Sequence, residues 1–359
     1  MMRILVITNH LDVDPAYRLR IGALVEPLRR RGVELTVRVR PKGVLARWRL
    51  VRSALGFDGV LLHRKMLDGW ECRVLRKSGR PVIYDVDDAV MYLQNRLSKW
   101  TQWRLTRRFH ATAKLACHVA AGNEHLAGIF AARGCATSIV PTVVDPAAYQ
   151  VKQHASANGS PRLVWIGTSA NLPYVREIMP ALVAARAQVP GLRLVIICDR
   201  TLDVGAEAGL PVDFIPWSVA GEGEALVQGD IGIAPTPRDK FTLGKCGFKI
   251  VQYMAAGLPV IASPVGANAT LVAEGQTGFL ADDMAGWTRA VGALAQDGAL
   301  RARVGAGGRP RLRPARLNPR PSNRRMPRQP NQALKRPLPQ VAVARVAPAI
   351  DDSHQLASN

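Results

Sequence analysis

Residues 239–266, DKFTLGKCGFKIVQYMAAGLPVIASPVG, decide the fold. The stretch predicts a polar loop, a helix over 245–256 and a short buried strand over 259–262. Gly257 stands where a helix end needs a left-handed residue, and Pro259 prevents the helix from resuming. Phe248, Val251, Tyr253 and Met254 supply apolar surface. Lys245, Lys249 and Gln252 recur at spacings of four and three, which would place them on one helical face. Two ammonium groups and an amide near the start of a helix, in an open α/β sheet, point to an anion site with a hydroxyl-reading group beside it. A solvated lysine face is the competing reading of the same spacing.

Outward from this stretch, short apolar runs alternate with helical segments. In residues 1–150, strands are expected at 4–8, 34–38, 59–62, 81–85, 117–121 and 138–140, with helices such as 17–30, 70–77 and 124–132 between them. The alternation argues a parallel sheet with helices on both faces, whose chemistry belongs at the carboxyl ends of its strands. The polar stretch around 153–161 reads as a hinge. Beyond it, the strand Arg162–Ile166 runs into Gly167, Thr168 and Ser169, a loop whose backbone N–H groups can approach an oxyanion. Further strands are expected at 192–198 and 230–235. The expected plan is therefore α/β: two Rossmann-like doubly wound parallel-sheet domains, 1–150 and 162–304, joined by a linker at 151–161 and facing a cleft.

The pattern KxxxKxxQYMAAGLPVIASPVG resembles the donor-site helix of the GT-B glycosyltransferases, family 4 (glycosyltransferase group 1). The similarity runs from residue 1 to about Val304. Many members carry Glu-x7-Glu here, the second Glu holding the nucleotide ribose and the first lying near the donor sugar. This chain has Gln252 at the second position and Gly244 at the first. A Gln can still bond a ribose hydroxyl, at about 0.5–1.5 kcal/mol against about 1.5–3 for a charged partner. Asp239 is the residue nearby that could supply the missing carboxylate. What the resemblance implies is retaining transfer of a sugar from a nucleotide-sugar to a saccharide or lipid-linked acceptor, with no further cofactor and no metal. It also implies a place in cell-envelope polysaccharide or glycolipid synthesis. Lys245 and Lys249, helped by Thr168 and Ser169, would take the diphosphate, and Trp217 would flank the base or pack in the core.

On the first domain, the loop after the first strand carries His10, Arg18 and Arg20. His10 is a proton handler or a helix cap. The two arginines suit phosphate contacts, and one of them would alternatively pair with Asp85 or Asp87. Asp85, Asp87 and Asp88 put three carboxylates in four residues, whose mutual repulsion should raise at least one pKa. Asp87 is then a candidate base and Asp85 and Asp88 acceptor-side groups; an acidic cluster favoured by a helix dipole is the alternative. The helix over 99–114 combines Trp100, Trp103 and Phe109 with five Lys/Arg. That composition fits an interfacial helix on an anionic membrane, or else tryptophans packed in a core.

Composition bounds the rest. The 359 residues carry a formal net charge of +22, of which +9 lies from Gly308 onward, leaving +13 on residues 1–307. A basic body suits phosphorylated substrates and anionic lipid; no motif supports nucleic acid, which is not an expected partner. No apolar run is long enough to span a bilayer, no signal-peptide pattern opens the chain, and five scattered cysteines form no CxxC pair. Cytoplasmic placement, with peripheral contact at the inner face of the membrane, is the expectation. Residues 305–359, with nine prolines between Pro310 and Pro348, are expected to be a disordered basic tail and read as a frameshifted or replaced terminus. The altered motif and terminus leave a non-catalytic GT-B-like protein as the rival reading.

Overall fold

The computed structural model describes residues 1–9, 14–92, 98–154, 160–200 and 209–312. Its first sheet contains β1 (Met2–Thr8), β2 (Val33–Val39), β3 (Gly59–His63), β4 (Val82–Val86), β5 (His118–Ala121) and β6 (Thr137–Ile139), in the order β2-β1-β3-β4-β5-β6. The second contains β7 (Arg162–Gly167), β8 (Arg193–Cys198), β9 (Val212–Pro216), β10 (Ile231–Ala234), β11 (Val260–Ala262) and β12 (Gly278–Leu280), in the order β12-β11-β10-β7-β8-β9. Every pairing within the two sheets is parallel. The strand order reverses beside β1 and β3 in one sheet and beside β7 and β10 in the other, and the crevices of such sheets open at those points. Strands buried on both faces read as continuous apolar runs, and Leu194–Cys198 shows this, with every residue buried.

The deciding stretch folds as expected at its end and differently at its start. Gly257 takes φ +70, and β11 follows. The helix, however, begins at Phe248, because Gly247 adopts the left-handed conformation (φ 67, ψ 27) and Lys245 is extended. Lys245 therefore precedes the helix rather than sharing its face with Lys249. Tyr253 anchors the helix: its hydroxyl donates to the Ile233 carbonyl at 3.0 Å and accepts from the Ile166 amide at 3.2 Å, tying it to β10 and β7. The helix expected over 17–30 is also broken, into Pro15–Arg20, a 3₁₀ turn Gly22–Leu24 and Val25–Arg30. Pro27 has no N–H for an i→i−4 bond, so a continuous helix through Gly22 and Pro27 would leave a carbonyl unsatisfied.

Residues 144–154 are already tied to the second lobe. Val144 and Tyr149 pack in its core, and Lys152 donates its backbone N–H to the Ala256 carbonyl at 2.9 Å. The expected tail needs a correction at its start: Gly298–Gly308 is a helix, continued by a 3₁₀ turn Arg309–Leu312. Arg309 straps it down, donating to the Ala255 carbonyl at 2.6 Å and the Pro146 carbonyl at 2.9 Å. Glycines that resemble a linker are here close-packing residues; a Cβ on Gly305 would lie 2.2 Å from the Gly257 carbonyl oxygen, and one on Gly307 would lie 2.2 Å from that of Gln276. Gly305→Ala should therefore lower stability by about 1–3 kcal/mol in a denaturant titration, although Ala is the better helix former by about 1 kcal/mol. A stabilised variant would show that this helix does not sit against Gly257. Residues 313–359 lie outside the described residues.

Candidate functional site

A cavity of about 400 Å³ lies between the lobes, at the carboxyl ends of β7 and β10 on one side and β3 and β4 on the other. Lys249 comes from the first turn of the anchored helix. Gly167, the last residue of β7, makes room for it: a Cβ there would sit 2.8 Å from Lys249 Cε. The ammonium lies 5.3 Å from the Trp165 ring and makes no salt bridge among the described residues, Asp88 being the carboxylate whose charge acts on it from a distance. Burial, then the positive charge of Lys245, push its pKa down to about 7. Lys245 reaches the same cavity by a different path. Its Nζ donates to Asn171 Oδ1 at 3.2 Å and lies 5.1 Å from the Phe241 ring, and burial lowers its pKa as well. The two cations expected on one face thus converge from a loop and a helix.

Gln252 is buried in the same wall, donating from Nε2 to the Tyr149 hydroxyl at 3.3 Å. The carboxylate beside it is Glu222, not Asp239. Glu222 accepts from Trp217 Nε1 at 3.2 Å, from the Tyr149 hydroxyl at 3.5 Å, and from Arg18 Nη2 across the lobes at 3.2 Å. Asp239 is exposed and spends Oδ1 on the Phe241 and Thr242 amides, at 2.8 and 2.7 Å, capping the 3₁₀ turn. It does not line the cavity. Nothing in the sequence spacing marks Glu222, which stands thirty residues before Gln252. Thr168 lines the cavity, whereas Ser169 does not, its amide and hydroxyl donating to the carboxylate of the lining residue Asp199 at 2.6 and 3.0 Å. Trp217 is half-buried, lining the cavity while also packing against the core of the second lobe.

The first lobe contributes Asp14, Asp87, Asp88 and Arg64. Arg64 is the one non-glycine residue with a positive φ (55) among those described, the backbone twisting just past β3 to carry its guanidinium into the acids. Its nitrogens lie 3.0 Å from Asp87, 2.9 Å from Asp88 and 3.6 Å from Asp14. Asp88 Oδ1 is buried with no hydrogen-bond partner among the described residues, and burial is the main reason its pKa is raised. The expected rise is thus present, but repulsion from Asp87 is the lesser cause. In the sequence, the only mark of Arg64 is its place directly after the end of β3.

Asp85 and Arg20 do not face this cavity. They form a buried pair, Arg20 Nε donating to Asp85 Oδ2 at 2.9 Å and Nη1 to the Val140 carbonyl at 2.7 Å. Arg18 is engaged with Glu222. Both arginines are thus paired with carboxylates, Arg20 with Asp85 as the alternative reading of this loop expects. His10 lies outside the described residues. A loop of the second lobe closes on the first: the Cys246 thiol donates to the Asp87 carbonyl at 3.0 Å, and Asn123 Nδ2 donates to the Lys245 carbonyl at 3.0 Å. Gly122 and Gly244 permit that approach, since a Cβ on either would fall within 2.5 Å of Cys246 Sγ or Ala89 Cβ respectively.

No curated protein matches the chain in sequence. Among solved structures, it is similar to Anabaena HepE in complex with UDP-glucose, at 17% identity and TM-score 0.63, over 87% of this chain and 94% of that one. It is also similar to sucrose-phosphate synthase from Thermosynechococcus elongatus, at 18% identity and TM-score 0.64, over 87% and 94%. A third is S. aureus MnaA with UDP, at 15% identity and TM-score 0.54, over 86% and 92%. At these identities the likeness establishes the fold. Residues 160–297 match the model of the family described as Glycosyl transferases group 1. The second lobe, with Lys245, Lys249 and Gln252, thus matches the group 1 glycosyltransferase family model, in a chain that has the GT-B fold.

Proposed function

We propose that this chain moves a sugar from a uridine-diphosphate sugar to an acceptor held by the first lobe, with retention of configuration. One observation carries the reading: Lys249 presents an ammonium without a carboxylate partner among the described residues, in an inter-lobe cavity, beside the Gly167–Thr168 loop. A diphosphate is the anion that such a cleft accommodates, with Lys245 as its second cation and the loop N–H groups as donors. Gln252, held by Tyr149 beside Glu222, reads the ribose, and Trp217 flanks the base. In the transfer, the bond from the sugar's anomeric carbon to the diphosphate oxygen breaks and a bond to the acceptor oxygen forms. The lysines stabilise the departing charge, and the cavity excludes water. The acceptor proton goes to the leaving phosphate or to Asp88, which lines the cleft. Trp100 and Trp103, 62% and 52% exposed, are not core residues. Each lies under an arginine, Arg104 at 4.5 Å and Arg107 at 4.6 Å, which suits contact with an anionic membrane and a lipid-linked acceptor for glycolipid or polysaccharide synthesis.

Calorimetric titration with UDP across pH tests the reading. Lys249 titrates near 7 in the free protein and must be charged to hold a diphosphate. Affinity should therefore weaken as pH rises from 7.5 to 9, by up to about tenfold per unit, as expected for one linked proton. In Lys249→Met the same range should be flat. A pH-independent wild-type affinity, or no UDP binding at all, would remove the lysine–diphosphate contact.

A further inference from the structure

A second cavity, of about 310 Å³, opens at the carboxyl ends of β1 and β3, the reversal point of the first sheet. Asp14 and Arg64 line both this cavity and the donor cleft, so the two adjoin. Its floor is Thr8 and His63, the Thr8 hydroxyl 3.0 Å from His63 Nδ1, with burial lowering the histidine's pKa. Met66, Val90 and Leu105 form an apolar side. The charged groups are Asp14, Arg64, Lys65 and Arg108. Arg64 is balanced by the three acids, and Arg108 Nε donates to Asp68 Oδ1 at 2.6 Å. Lys65 is different: it has no salt bridge or hydrogen-bond partner among the described residues, and burial, then the nearby Arg40 and Arg108, disfavour its charge more than Glu71 and Asp68 favour it. A half-buried lysine crowded by two arginines gains most from an incoming anion.

We propose that this cavity, read as the acceptor site of the transfer proposed above, selects acceptors that carry an oxyanion, a phosphoryl or carboxylate group seated on Lys65 beside Arg108. The adjoining Asp14–Arg64 edge then leaves the acceptor's hydroxyl end toward the donor cleft. Lys65 is a specificity-determining residue, remote from the diphosphate.

The test is calorimetric titration of UDP-saturated protein with glucose 6-phosphate, glucuronate and glucose. Both anionic sugars should bind at least tenfold more tightly than glucose, and whichever binds tighter identifies the oxyanion. Lys65→Met should bring all three to the glucose value, Lys65→Arg should restore the preference, and UDP affinity should be unchanged in both. Equal binding of the three sugars by the wild type, or an undiminished preference in Lys65→Met, overturns the assignment. Failure of UDP itself to bind would overturn the donor reading alone, because the three titrations repeated without UDP still decide the anion site.

Discussion

Lys249→Met should lower turnover about 10²–10³-fold, the usual effect of removing one preorganised charge donor, while making the unliganded protein more stable. The two effects have one cause. In the folded chain Lys249 titrates near 7, against 10.5 for an ordinary lysine, because it is buried next to Lys245. Between those values the unfolded chain binds more protons than the folded one, so wild-type stability rises with pH across that window. At neutral pH the ammonium opposes folding, and a methionine of similar length keeps contact with Trp165 without it. Thermal unfolding at pH 7.5 should show a raised midpoint and a weaker rise with pH, alongside the loss of turnover. A variant that is both less stable and still active would show Lys249 to be a packing residue, not the diphosphate ligand.

The fold was legible because its signals are local and periodic. All six strands of the first sheet fall within a residue or two of their apolar runs, as do β7, β8, β10 and β11 of the second, and Gly257 and Pro259 mark a real helix end. The site was legible where it rests on strand ends and failed where it rests on tertiary partners. Lys249, Gln252, Gly167 and Asp88 sit at or near carboxyl ends, as the strand-end rule directs. Asp239 and Ser169 have the right chemistry on the right loops, yet each is consumed locally, one by capping two amides and the other by Asp199. Glu222 takes the place imagined for Asp239 through chain crossings that no spacing encodes. The convergence of Lys245 and Lys249 was foreseen for the wrong reason. The left-handed Gly247 breaks the shared helical face, and the loop returns Lys245 to the cavity from the other side. The glycines of 305–308 show the opposite error, since composition cannot distinguish a flexible segment from one packed against a carbonyl.

Arg20→Met should destabilise the protein by about 3–5 kcal/mol, because it leaves the Asp85 carboxylate buried without its partner. The pair is 3% and 8% exposed at its side chains, so the carboxylate left behind is largely out of bulk water. The loss also strands the Val140 carbonyl, to which Arg20 Nη1 donates at 2.7 Å, and breaks the tie from the first helix to the segment leaving β6. For a body of this size the thermal midpoint should fall by roughly 6–20 °C, at about 2–4 °C per kcal/mol. Asp85→Ala should cost a similar amount, through the unpaired arginine. The double variant Arg20→Met/Asp85→Leu should recover most of it, since replacing both members with apolar groups removes the desolvation penalty along with the attraction. If Arg20 instead held a phosphate, as its place in the loop after β1 first indicates, its replacement would weaken UDP binding and leave the midpoint nearly unchanged. Unfolding curves and UDP titrations on the same three variants separate these outcomes, and a single variant within 1 kcal/mol of wild type by the denaturant criterion would end the structural assignment.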